Sequence, residues 1–182
     1  MITENPVEIE VKIKVDRLEP WREKLRRLGA ELECPRVLER NLVFDTARQR
    51  LRKQAVLLRL RRLEAGSVLT MKMPVQKSSR YKMREEIEVE VSDFAKMEKI
   101  LRGIGFRVFF AYEKYREVFK LKGIRVMLDE TPIGNFLEIE GDAADIDAMA
   151  TRLGLAAKDY ITDSYYKLFL LSGRSGNMEF KA

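Results

Sequence analysis

The chain has 182 residues, 46 % hydrophobic and 35 % charged, with a formal net charge of +6, enough for one domain with a substantial core and a charge sign that suits an anionic ligand. It contains no histidine and a single cysteine, Cys34, which excludes histidine-based triads, an intrachain disulfide and thiol-rich metal sites, so that any metal is held by oxygen. The polar start, Met1 to Pro6, is unlike a signal peptide, and no apolar run approaches the ~18 residues of a membrane span, so a cytoplasmic protein without membrane attachment is expected.

Along the chain, Val7 to Val15 alternates as a strand, and Glu19 to Glu31 reads as a helix with Pro20 in its first turn and Gly29 near its end. Strands follow at Asn41 to Asp45 and Val56 to Arg62, with Ala47 to Arg50 as a polar connection, then turn chemistry at Leu63 to Ser67 and a strand from Val68 to Met73 stopped by Pro74. Gln76 to Arg80 reads as a basic loop. Met83 to Val91 is a strand, and a helix from Asp93 to Leu101 is capped by Ser92 or Asp93 and broken at Gly103 to Gly105. Further strands are expected at Phe106 to Ala111, Lys114 to Leu121, Ile124 to Asp129 and Phe136 to Glu140, with Lys122-Gly123 as a tight turn. A helix from Ala144 to Leu153, a short helix from Tyr165 to Leu171 and a mobile tail over 173–182 complete a single domain spanning 1–172.

Three strands repeat one tripeptide: Glu8-Ile9-Glu10, Glu86-Ile87-Glu88 and Glu138-Ile139-Glu140. Strand side chains alternate between faces, so each copy sets two carboxylates on one face and an apolar residue on the other. Cations occur at the same spacing: Lys12 after Glu10, Arg84 before Glu86, Arg59 with Arg61, Lys114 with Arg116. One strand of this kind simply turns its charges to water. A whole face of charges without Thr, Ser or Gln instead indicates a concave or closed surface, where cations hold a polyanion and carboxylates hold metal.

About eight mostly antiparallel strands with helices inserted after the Glu-Ile-Glu copies make an α+β plan, and an eight-stranded closed barrel removes the sheet edges. If Ile9, Val11, Ile13, Ile87, Val89 and Ile139 pack outward under helices, the ionic positions line the interior. Paired charges plus bound metal and phosphate make that interior tolerable.

The ordered segments resemble those of the CYTH superfamily, the triphosphate tunnel metalloenzymes. Glu8-Ile9-Glu10-Val11-Lys12 is similar to its ExExK signature, Asn41 to Thr46 to its Tyr-Phe-Asp-Thr, and Leu58-Arg59-Leu60-Arg61 to its Leu-Arg-x-Arg. Leu69 to Pro74 resembles Leu-Thr-x-Lys-x-Pro, Arg84 to Glu88 Arg-x-Glu-x-Glu, and Lys114-Tyr115-Arg116 Lys-x-Arg. Leu128-Asp129 through Gly134 to Glu140 resembles the acidic Asp...Gly-x-Phe-x-Glu-x-Glu, and Asp163-Ser164-Tyr165 resembles a C-terminal Ser-Tyr of the cyclase-like branch. Val43 stands where the family often has Tyr, and the interval from Asp129 to Glu138 is slightly shorter than in cyclase-like members.

The resemblance implies a tunnel that binds a triphosphate with Mg²⁺ or Mn²⁺. Lys12, Arg59, Arg61, Lys72, Lys114 and Arg116 would hold phosphate oxygens, with Arg125 as a further phosphate ligand on the face of Asp129. Glu8, Glu10, Glu138 and Glu140 would carry metal, with Asp129, Glu86 and Glu88 as further ligands or orienters. Glu8, Glu10, Lys12 and Arg116 form the implied catalytic set. Arg84 either joins the site or pairs with a neighbouring Glu, and Ser164 and Tyr165 either cap the last helix or touch ligand. The implied activity is that of a class IV-like adenylyl cyclase converting ATP to cyclic AMP and diphosphate. The alternative is an inorganic or thiamine-type organic triphosphatase. A homodimer is compatible with the resemblance. A nucleic-acid partner is not expected, because the basic Lys77 to Lys82 segment lacks an aromatic stacking series.

Overall fold

The computed structural model describes residues 7–75, 78 and 80–181; most of the basic loop expected at Gln76 to Arg80 lies outside the described residues. Within them, eight strands close in the order β1-β5-β4-β3-β2-β6-β7-β8, every neighbouring pair antiparallel. The strands are β1 (Val7–Val15), β2 (Glu31–Thr46), β3 (Leu57–Leu63), β4 (Gly66–Pro74), β5 (Lys82–Val91), β6 (Phe106–Leu121), β7 (Ile124–Thr131) and β8 (Gly134–Glu140). Helices α1 (Glu19–Arg27), α2 (Arg50–Lys53), α3 (Phe94–Gly103), α4 (Ala143–Leu153) and α5 (Tyr165–Leu171) lie between and after them. The α+β closed barrel read from the sequence is therefore the observed fold.

Four elements differ from expectation. The first helix stops at Arg27, and β2 begins at Glu31 and runs for 16 residues through Pro35. Register shifts around Cys34 to Val37 let Pro35 sit where no ladder donor is needed. The two strands expected around Tyr112 are one continuous β6 of 16 residues. The polar connection after Thr46 contains α2, whose N-terminus is held by Asp45: its Oδ1 accepts from Leu51 N at 3.0 Å and its Oδ2 from Arg52 N at 3.1 Å. That capping explains the Asp of the Phe44-Asp45-Thr46 segment without invoking ligand.

Outside the barrel, α1 and α4 cover β1, β8 and β7. Val11, Ile13, Leu128, Leu137 and Ile139 meet Leu25, Ile146 and Met149 there, all 2–3 % exposed or less, each such side chain contributing about 1.5–3 kcal/mol of burial. Helix α4 ends on Gly154 at φ 73°, a left-handed conformation in which a side chain would be strained. Helix α3, capped by Asp93, covers Phe44 and Leu60. On the outer face of β5 only Val91 joins that cluster; Ile87 is 39 % and Val89 55 % exposed, so these two point outward as expected but not under a helix.

β6 pairs with β7 only from Tyr115 onward, and the earlier half of β6 is closed by α5 and the C-terminal segment. Met178 is fully buried, donates its N–H to Ala111 O at 3.0 Å and accepts from Glu113 N at 2.8 Å. The segment expected to form a mobile tail thus meets β6 at Met178 and again at Phe180, whose N–H donates to Glu113 Oε2 at 3.3 Å.

Candidate active site

The strand period delivers all three Glu-Ile-Glu copies to the interior. Glu8, Glu10 and Lys12 from β1, Arg59 and Arg61 from β3 and Lys72 from β4 line one cavity of ≈ 500 Å³. Arg84, Glu86 and Glu88 from β5, Lys114 and Arg116 from β6 and Glu138 and Glu140 from β8 complete its ionic wall. Arg125 lines it too, but from the rim, where its half-exposed guanidinium donates to Glu33 at 2.8 Å and lies 3.9 Å from Glu140.

The deepest part is a compensated network. Asp129 is completely buried and accepts from Lys114 Nζ at 2.9 Å, Arg116 at 2.6 and 2.7 Å and the Tyr165 hydroxyl at 2.7 Å. Arg116 also donates to Glu138, which pairs with Lys12 at 2.8 Å. Burial raises the Glu138 carboxyl, yet Arg116, Lys12 and Lys114 hold it well below the usual range. Burial likewise opposes ionisation of Glu10, and Lys82 with Lys12 overrides it, to about 2. Asp129 thus has both oxygens occupied by two cations and a hydroxyl.

Nearer the cavity the balance is looser. Both oxygens of Glu8 accept from Lys72 at 2.6 Å, and Glu86 lies 3.1 Å from the same ammonium. Glu88 accepts from Thr70 at 2.6 Å and lies 3.6 Å from Arg59. Glu140 is the least compensated: burial, then the neighbouring Glu8 charge, push its carboxyl up to about 7. Among the described residues no three carboxylates already form a cation cage. The donor set is nevertheless hard oxygen throughout, and the Glu8–Glu140 repulsion is the kind a divalent cation relieves, so the residues fit Mg²⁺ or Mn²⁺.

Among the described residues, Arg52 Nε, Arg59 Nε and Asn41 Nδ2 are buried donors without a hydrogen-bond partner, and Arg52 and Arg59 line the cavity, where such atoms suit an anionic oxygen. Sequence reasoning missed Asn41, Glu39, Tyr112 and Lys82. Glu39 is 3 % exposed and sits 3.3 Å from Arg61 and 3.7 Å from Lys114, which hold it at about 2 against burial. Its spacing of two from Asn41, and that of Tyr112 from Lys114, were the available signals, hidden because residues 36–40 and 112–113 were not read as strand. Arg84 lines the cavity, donates to Ala55 O and lies within the field of the Glu10 and Glu8 carboxylates. Tyr165 reaches the interior with its ring 4.7 Å from Lys12 Nζ, while Ser164 caps α5 by accepting from Lys167 N at 3.2 Å.

A CYTH domain profile matches residues 6–165. The chain belongs to the CYTH family. A protein of Methanocaldococcus jannaschii named "putative adenylate cyclase" is 32 % identical over 143 residues, 78 % of this chain and 80 % of its own length. A Vibrio parahaemolyticus protein of the same name shares the fold with a TM-score of 0.81 at 18 % identity, over 91 % of this chain and 99 % of that one. A Hippeastrum "putative adenylyl cyclase", described as having a dominant triphosphatase activity, superposes with a TM-score of 0.67 at 22 % identity, over 92 % and 97 % of the two chains. The two solved structures share the fold of this chain. No helix among the described residues is long and apolar enough to cross a membrane.

Proposed function

We propose that the protein is a metal-dependent enzyme acting on a triphosphate, and that with ATP it is an adenylate cyclase releasing cyclic AMP and diphosphate. The observation that carries the reading is the cavity itself: opposed Arg/Lys and Glu side chains, lining the inside of a closed barrel, with an unpartnered donor at Arg59. Lys12, Arg59, Arg61, Lys72, Lys114 and Arg116 bind and neutralise phosphate oxygens, the guanidinium groups in forked fashion. Glu8, Glu10, Glu138 and Glu140, supported by Glu86 and Glu88, would hold Mg²⁺ or Mn²⁺. When bound, the metal supplies positive charge at the transferred and leaving oxygens. Lys12 and Arg116, already fixed by Glu138 and Asp129, stabilise the charge that grows on the leaving diphosphate with little rearrangement. In the metal-free site burial and then the Glu8 charge push Glu140 up to about 7, so its carboxyl would release a proton on taking the cation. The cyclase assignment is supported by the name of the Methanocaldococcus relative. The reaction is placed in the cytoplasm, without a nucleic-acid or membrane partner.

The second reading is hydrolysis of the terminal phosphate by water. It is supported by the activity described for the Hippeastrum fold neighbour and uses the same charges. Product analysis after incubation with ATP, and separately with tripolyphosphate, in Mg²⁺ or Mn²⁺ decides between them, with Glu10→Ala as control. Cyclic AMP and diphosphate, lost in the variant, establish the cyclase. Orthophosphate without cyclic AMP establishes the triphosphatase, and no reaction with either substrate overturns both.

A further inference from the structure

The cavity has a second, chemically different end. Besides the ionic wall it is lined by Leu57, Phe109 and Tyr166. In the cluster under α5 the fully buried members, such as Phe110, Phe169 and Met178, make the core, whereas Leu57, Phe109 and Tyr166 are only partly buried. They keep apolar surface toward the cavity that packing alone would have covered, and a polyanion gains nothing from it.

Arg52 joins this end. Its guanidinium carbon lies 4.2 Å from the Phe109 ring centroid and 5.7 Å from that of Tyr166, and its Nη1 donates to the Tyr166 hydroxyl at 3.2 Å. Asp45, which caps α2, stands 3.6 Å from Arg52 Nε and compensates part of its charge. The guanidinium is therefore held against an aromatic ring while still lining the cavity. Ser164 lines the same end; its Oγ accepts from Lys167 N, which leaves the hydroxyl hydrogen for an acceptor on a ligand.

We propose that this vestibule binds a planar heteroaromatic ring carried by the triphosphate, stacked on the plane formed by Arg52 and Phe109. The substrate is then an organic, ring-bearing triphosphate rather than inorganic tripolyphosphate. A guanidinium plane backed by an aromatic ring offers its other face to a base, and apolar walls at Leu57 and Tyr166 exclude water from the stack. The continuity of the cavity lets the phosphates reach Arg59 and Lys114 while the ring stays at the mouth. This inference rests on the triphosphate reading above.

The test is calorimetric binding, in Mg²⁺, of a non-reactive methylene analogue of ATP and of tripolyphosphate to the full chain and to Arg52→Lys and Phe109→Leu. Arg52→Lys keeps the charge and removes the plane; Phe109→Leu keeps the apolar volume and removes the ring. The expected result is binding of the ATP analogue about 5- to 30-fold weaker in each variant, the loss of one stacked ring, with tripolyphosphate unchanged within about 2-fold. Equal losses for both probes would make Arg52 an ordinary phosphate cation and overturn the proposal. No loss for either probe, in variants that melt like the parent, also overturns it. If the parent binds tripolyphosphate but not the ATP analogue, the vestibule proposal fails and the triphosphate reading survives. If it binds neither, the triphosphate reading fails first.

Discussion

Replacing Asp129 with asparagine separates a structural anion from a metal ligand. The carboxylate is fully buried and receives four hydrogen bonds, three of them from Lys114 and Arg116. The amide removes the charge and turns one acceptor into a donor facing cations, and removing one partner of a buried ionic cluster costs about 3–5 kcal/mol. In a chain of this size each kcal/mol moves Tm by about 2–4 °C, so Asp129→Asn is expected to melt about 6–20 °C below the parent. The same change frees two cations, so tripolyphosphate should raise the variant's Tm more than the parent's, because the anion restores the lost compensation. Thermal denaturation by circular dichroism with and without tripolyphosphate measures both shifts, and Mn²⁺ titration measures metal affinity. A variant that melts with the parent but loses Mn²⁺ binding would falsify the argument, for Asp129 would then be a ligand.

Tyr165→Phe keeps the ring between Lys12 and Lys114 and removes only the hydroxyl bonded to Asp129; urea unfolding should show a loss of about 1.5–3 kcal/mol, as for a hydrogen bond to a charged group. Glu39 is held at about 2 against an ordinary value of 4.5. A depressed carboxylate contributes stability that is present above pH 4.5 and lost as pH falls toward 2. Glu39→Gln should therefore flatten the stability profile in that window, and an unchanged slope in acid unfolding would contradict the charge assignment. Glu140, raised from 4.5 to about 7, acts in the opposite sense: the stability of the metal-free protein should fall as pH rises through 7. Glu140→Gln should abolish that decline, read by melting at pH 5.5 and 8 with chelator present. Gly154→Ala places a side chain at φ 73° and should cost about 1 kcal/mol by denaturant titration, because L residues resist that conformation.

Much of the barrel was legible because its signal is local. A two-residue period places Glu8, Glu10 and Lys12 on one face whatever lies around them, and with Glu86, Glu88, Glu138 and Glu140 it determined by itself that the chain carries a sheet with one ionic face. The ordered motifs added the family, and Asp93 marked a helix start through backbone chemistry that acts within a few residues. What the chain could not state alone was set by partners distant in sequence. Whether Asp129 binds metal or organises cations depends on Arg116 and Tyr165 arriving from β6 and α5. Whether Ile87 and Val89 are covered depends on where the helices pack, since alternation fixes direction but not what stands opposite. Strand β2 was obscured because Pro35 reads as a breaker, and only pairing with β6 through register shifts accommodates it. The carboxyls of Glu39 and Glu140 share one side-chain chemistry and lie at about 2 and about 7. Tertiary packing alone decided that difference, by placing cations beside the first and by burying the other next to a second carboxylate.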